Sequence, residues 1–198
     1  MSSVFDVRVS IHAMYYRIAC LQADTYRERD TELAALGPEF MQEDLPNRRE
    51  VCYEERERAA VIAITFSGMA VEAFLYDYAA EKLGDQHVKE HLDRLDVKTK
   101  FLRYPQLVCG RAPDKSCAAY LALKKLVSLR NELVHFKSES FATWKMHKAS
   151  DFHTHLNDKL KAGVSDSVAC VLAAVDEIDR LHGGGTEFRN RMEWGGVA

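Results

Sequence analysis

Proline and glycine are scarce in this chain, with four Pro and ten Gly among 198 residues. Most of them fall between periodic apolar segments, which argues for long helices rather than the many short strands of a sandwich or barrel. Cysteine is sparse and unpatterned. Its five copies (Cys20, Cys52, Cys109, Cys117 and Cys170) are odd in number and none forms a C-x-x-C pair, so neither a disulfide framework nor a thiolate zinc site is expected. Long apolar runs are lacking too. The longest stretch without a charge, Ala59 to Val71, falls short of the ~20 residues of a membrane span and reads as a core helix. The opening residues set Asp6 and Arg8 among Val4, Phe5 and Val7, with no basic-then-apolar leader, so the expectation is a cytoplasmic protein with reduced thiols and no membrane partner. Absent as well are G-x-x-x-x-G-K-[ST], G-x-G-x-x-G and G-x-S-x-G, which disfavours nucleotide hydrolysis, dinucleotide binding and serine esterase chemistry.

What is present is an ordinary globular composition, 47% apolar and 29% charged, in a length that suits one domain with a real core. The formal net charge of −3 conceals an asymmetry. Residues 98–148 hold eleven Lys and Arg against three Asp and Glu, leaving sixteen basic against twenty-seven acidic elsewhere. Such a block either offers a patch to an anionic partner or is neutralised by the acidic remainder across the bundle.

Periodicity predicts four principal helices with one or two short extras, an all-α up-down bundle over residues 1–185 followed by a tail at 186–198. The first helix is expected over about 6–29, with Val7, Ile11, Met14, Ile18 and Leu21 as one apolar stripe. The second runs over about 48–83 and is apolar nearly all round, with Ile62, Phe66, Met69, Ala73, Tyr76 and Ala80 on one stripe. It therefore belongs in the middle of the bundle. Residues 86–115 look less regular, a short polar helix near 87–95 and then loops through Pro105, Gly110 and Pro113. The third main helix starts near Asp114 or Ser116 as N-cap and reaches about Ser138. A connection through Trp144, Met146 and the histidines His147, His153 and His155 follows, either plain or with a short helix of its own, and the last helix begins near Ser165.

The third helix carries the most informative residues. Arg130 follows Leu126 by four and precedes Val134 by four, so an always-charged guanidinium sits on an apolar stripe, where an unpaired charge is costly. Asn131 is its neighbour, and His135, which titrates near neutrality, completes Arg-Asn-x-x-x-His. Five residues turn a regular helix by roughly 140°, so Arg130 and His135 do not share a face; a bend, a long reach or a second copy of the helix is needed to unite them. Glu72 is the only charge between Arg58 and Asp77, and a glutamate buried there needs a cation, for which Arg130 is the natural candidate.

This motif, within a helical chain, resembles the signature of the HEPN superfamily. The resemblance covers the motif and a helical arrangement over most of residues 5–182. It implies a metal-independent, cofactor-free ribonuclease that uses the RNA 2′-hydroxyl as internal nucleophile, in a site formed where two protomers meet. Carried over, His135 handles the proton, Arg130 holds the phosphorane charge, Asn131 positions them and Glu72 supports Arg130. Lys124, Lys137, Lys145 and Lys148 of the basic block are the candidates for holding RNA. The resemblance further implies a role in toxin–antitoxin or antiviral defence, with an antitoxin protein as a candidate partner. Some HEPN-like domains are instead non-catalytic scaffolds, and the second reading is such an interaction module, binding a protein or nucleotide partner through the same helix.

Weaker signals point elsewhere. His87-Val88-Lys89-Glu90-His91 matches the H-x-x-E-H zinc pattern, yet the segment is short and polar and reads better as an exposed helix. His147, His153 and His155 beside Trp144, Lys145 and Lys148 suit either an RNA-gripping loop or an ordinary polar connection. Tyr15, Tyr16 and Tyr26 with Arg17 and Arg27 read as a packing face with wet edges.

Overall fold

A computed structural model describes residues 11–36, 45–134, 146–184, 188, 189 and 192, with backbone alone at 45–47 and 146–155. Its helices are α1 (His12–Ala35), α2 (Leu45–Leu83), α3 (Asp85–His87, continuing as a π-helical turn over Val88–Leu92), α4 (Val97–Cys109), α5 (Ala118–Val134) and α6 (Met146–Leu181). No strand occurs among the described residues, and the fold is an all-α bundle.

Side-chain pairs fix the directions. α1 runs antiparallel to α2, with His12 Nδ1 2.8 Å from Asp77 Oδ2 at one end and Arg48 Nη2 2.9 Å from Glu32 Oε1 at the other. α6 runs parallel to α2, since Arg56 reaches Asn157 at 3.3 Å while Tyr78 Oη meets His182 Nε2 at 2.7 Å. α5 runs antiparallel to α6, with Lys159 2.5 Å from Glu132 and Leu129 against Gly163. The four long helices thus alternate up and down around α2, which contributes Ile64, Val71, Phe74, Leu75 and Tyr78 to the core. By length and composition α2 could also cross a membrane, although 56% of its most apolar window is buried within the bundle. All five cysteines are free thiols. Burial pushes the Cys170 thiol up to about 12.

Three expectations are corrected. α4 is a thirteen-residue helix where loops were expected, and Pro105 lies inside it. Asp96 caps its start, accepting from the Lys98 and Thr99 amides, and Gly110 ends it at φ 72°. Burial of Val97, Phe101, Tyr104 and Pro105 on one face offsets the backbone bond that proline removes. α6 begins at Met146 rather than near Ser165, so the backbone at His147, His153 and His155 is helix and not loop. Finally, α1 packs with a different face. His12, Ala13, Tyr16, Ala19, Ala23, Tyr26 and Leu33 are buried, whereas Ile11, Met14 and Leu21 of the expected stripe are exposed, Leu21 by 63%. Alanines are buried on both helices, Ala13, Ala19 and Ala23 on α1 and Ala59, Ala60 and Ala63 on α2, and side chains this small permit close helix approach.

Beyond residue 185, Phe188 and Met192 are buried in the core. Phe188 stands edge-on to both Phe74 and Tyr78, so apolar packing extends into the segment read as a tail.

Candidate functional site

Arg130 leaves α5 towards α2 and crosses it at Gly68. An ideal Cβ on Gly68 would lie 2.8 Å from Arg130 Cδ, so the bare backbone there makes room for the arginine stem. One turn further along α2, Glu72 receives the guanidinium, with Nη1 3.7 Å from Oε2. The anticipated Arg130–Glu72 pair is therefore present. Burial differs from the expectation, because Glu72 is 39% exposed and Arg130 28%. The carboxylate faces the edge of the bundle rather than its centre, so solvent screens the pair.

A second cation shares that carboxylate. Lys100, on α4, has a side chain only 3% exposed and holds its Nζ 3.5 Å from Glu72 Oε1 and 3.1 Å from Asp93 Oδ1. An ammonium this buried needs paired carboxylates, and two are supplied. The result is a chain of alternating charge, Asp93–Lys100–Glu72–Arg130, tying the end of α3 to α4, α2 and α5. Tyr104 stands beside it and donates to the Leu92 carbonyl at 3.1 Å. Burial, with Asp93 and Glu72 nearby, pushes its phenol up to about 12, so it is a neutral donor throughout the physiological range.

Among the described residues Arg130 has no partner besides Glu72, and its buried Nε has no hydrogen bond. Such a group, with one ion pair longer than a hydrogen bond, retains donors for an incoming oxyanion. Asn131 is exposed next to it, and Lys124, also exposed, lies seven residues earlier on the same stripe. His135, Lys137 and Lys145 lie outside the described residues, as does Trp144, and Lys148 is described by backbone alone. The structure therefore brings Arg130 and Glu72 together, leaves Asn131 exposed one residue on, and is silent on the histidine. His87 and His91 are exposed, their rings 5.0 Å apart, and no group of three or more metal-ligating side chains occurs among the described residues.

Sequence reasoning missed Lys100 and Gly68. Lys100 was one charge within a basic block, and the helix that buries it was hidden behind Pro105. Gly68 lies inside the uncharged run of α2, and only the crossing of α5 gives it a purpose.

Exposed apolar side chains flank the site. Tyr15 of α1 packs edge-on against Phe66 of α2 at 5.6 Å, joining the exposed Ile11, Met14 and Leu21 to the half-buried Ile62, Phe66 and Met69. Helical rotation places Met69 next to Glu72 on the same side of α2, so this seam runs up to the Arg130 pair. On the opposite side of α5 an open groove of about 790 Å³ runs along the α5–α6 contact, lined by Leu121, Ala122, Leu129, Ala162, Gly163 and Cys170 among others.

Compared with known protein families, curated proteins and solved structures, the chain finds no match.

Proposed function

We propose that this chain is a cytoplasmic, metal-independent endoribonuclease of HEPN type, acting as a homodimer. Arg130 carries the reading. It is a half-buried arginine on an otherwise apolar stripe, seated by a glycine, and among the described residues it has one long ion pair and a buried Nε without a hydrogen bond. An exposed ion pair contributes only about 0–1 kcal/mol, so fold stability alone gives little reason to keep it there. Electrostatic stabilisation of a pentacovalent phosphorane is the task such a guanidinium suits, and removal of a comparable donor costs about 10²–10³ in rate. His135 takes and returns the proton, Asn131 orients the phosphate, and Lys124, Lys137, Lys145 and Lys148 hold the RNA backbone.

The second copy packs on the α1–α2 seam. That apolar surface adjoins the Arg130 pair, and a partner there supplies the second motif helix that the 140° separation of Arg130 and His135 calls for. Cleavage of a fluorescent single-stranded RNA in EDTA is the test. Products ending in 2′,3′-cyclic phosphate are expected, and an inert wild-type protein sinks the reading. A toxin or antiviral role, restrained by an antitoxin protein, belongs to the same proposal.

One observation favours a second reading, a non-catalytic helical interaction module. The groove of about 790 Å³ along the α5–α6 contact is apolar enough to take a helix of a protein partner. A protein that binds such a partner and leaves RNA intact would be of this kind.

A further inference from the structure

The two oxygens of Glu72 are divided between two cations: Oε1 lies 3.5 Å from Lys100 Nζ and Oε2 3.7 Å from Arg130 Nη1. That division is unusual for an arginine. Guanidinium and carboxylate prefer two parallel N–H···O bonds, fork to fork, and a glutamate one helix away has the reach to make them. Here the nearest approach, Nη1 to Oε2, is 3.7 Å, longer than a hydrogen bond.

Lys100 is the fixed point of the arrangement. Its stem is buried in the α2–α4 contact, and its Nζ donates a 3.1 Å hydrogen bond to Asp93, seven residues back along the chain. It cannot follow Glu72 if the carboxylate turns. On the other side the Arg130 stem crosses α2 at Gly68, where an ideal Cβ would lie 2.8 Å from its Cδ. Lys100 at one oxygen and the arginine stem seated at Gly68 both oppose rotation of Glu72 towards a two-pronged pair.

We infer that Lys100 is a positioning residue that stops Glu72 from clamping Arg130 in a two-pronged ion pair, and so keeps the arginine fork open for an oxyanion. The inference rests on the reading of Arg130 as the phosphate-binding group. Its physical content is a competition. Lys100 and Arg130 contest one carboxylate, and the more buried and better anchored cation holds it. Without Lys100 the carboxylate passes wholly to Arg130, filling the donors a phosphate needs and cancelling the charge that attracts it.

Lys100→Met keeps the apolar stem and removes the charge; Lys100→Arg restores a cation; Glu72→Gln removes the contested carboxylate. Two readouts are taken on the full chain. The first is the Arg130 guanidinium ¹⁵N NMR signal of the free protein, identified by its loss in Arg130→Lys. A bidentate ion pair slows rotation about the guanidinium C–N bonds, so slowed exchange is expected in Lys100→Met, with reversal in Lys100→Met/Glu72→Gln and near wild-type behaviour in Lys100→Arg. The second is kcat/KM for single-stranded RNA in EDTA, expected to fall about tenfold in Lys100→Met, mainly through KM, and to recover in part in the double variant, which still lacks the carboxylate that supports Arg130. A merely structural lysine would lower stability without this reversal by Glu72→Gln. Should Lys100→Met fail to fold, Lys100→Gln, which keeps a donor for Asp93, reads the same signals. Unchanged Arg130 signals, or slowing that Glu72→Gln does not reverse, overturn the role of Lys100 whatever the cleavage result. Absent cleavage by the wild type removes the nuclease reading and leaves the guanidinium signals to decide about Lys100.

Discussion

Arg130 owes its position to a missing side chain. The 2.8 Å separation between its Cδ and an ideal Cβ at residue 68 means that alanine there must push the arginine aside. Replacing a mid-helix glycine by alanine otherwise favours the helix by about 1 kcal/mol. The two effects separate cleanly. Gly68→Ala should leave the urea midpoint unchanged or raised while RNA cleavage falls at least about tenfold, because the displaced group is the end of a flexible side chain rather than backbone. A loss of stability with full activity would contradict the seating role. Asp96 illustrates a residue whose work is structural. Hydrogen bonds from Thr99 and the α4 amides hold its carboxyl below the usual carboxylate range. A depressed carboxyl contributes stability above its unfolded pKa and loses it as pH falls through the folded one. Asp96→Ala should therefore cost about 1 kcal/mol at neutral pH by urea unfolding. The deficit should shrink in acid, whereas a constant deficit would assign the loss to packing instead.

At the scale of elements, α6 depends on one close contact. A Cβ at Gly163 would sit 2.3 Å from Leu129 Cδ2 and 3.3 Å from Ile64 Cδ1. Overpacking of this kind costs about 1–3 kcal/mol and should outweigh the propensity gain of alanine. Gly163→Ala is expected to lower the urea midpoint, and Leu129→Ala in the same chain to recover part of the loss. If the double variant were no better than the single, the α5–α6 contact would not be the cause. The same glycine explains why the sequence concealed half of this helix. Gly163 followed by Ser165 and Asp166 imitates a break and a fresh N-cap, yet Leu156, Leu160, Val164 and Val171 continue the stripe across it. In α4 the evidence for a helix was legible in the Asp96 cap, the Gly110 stop and the spacing of Val97, Phe101, Tyr104 and Val108. Pro105 hid it, because a proline costs a backbone bond that only tertiary burial offsets. α2 was readable throughout, since an all-round apolar helix has one place to go. α1 was misread in rotation: its large aliphatics looked like the core stripe, but close approach to α2 rewards Ala13, Ala19 and Ala23. The site shows the same division. The Arg130–Glu72 pair followed from charge scarcity on α2, while Lys100 became visible only once α4 was placed.

For the whole molecule, the rotation of α1 has a consequence. It leaves Ile11, Met14 and Leu21 facing water beside the α2 stripe that leads to Arg130, a surface better suited to an interface than to solvent. Leu21→Glu, at a position already 63% exposed, should leave monomer stability within about 0.5 kcal/mol of wild type. It should also convert a sedimenting dimer to monomer and abolish cleavage with it. Dimerisation that survives this change would move the interface elsewhere, with the α5–α6 groove as the next surface to probe. The central claim is that one permanently charged guanidinium and one imidazole, brought together by two copies of the chain, cut RNA unaided by metal. Its most direct test is cleavage of single-stranded RNA in excess EDTA by wild type, Arg130→Ala and His135→Ala, each verified as folded. Cyclic-phosphate products are expected from the wild type, with a loss of about 10²-fold or more in both variants. Wild-type protein that leaves RNA intact, or variants that cut as fast as wild type, would contradict it.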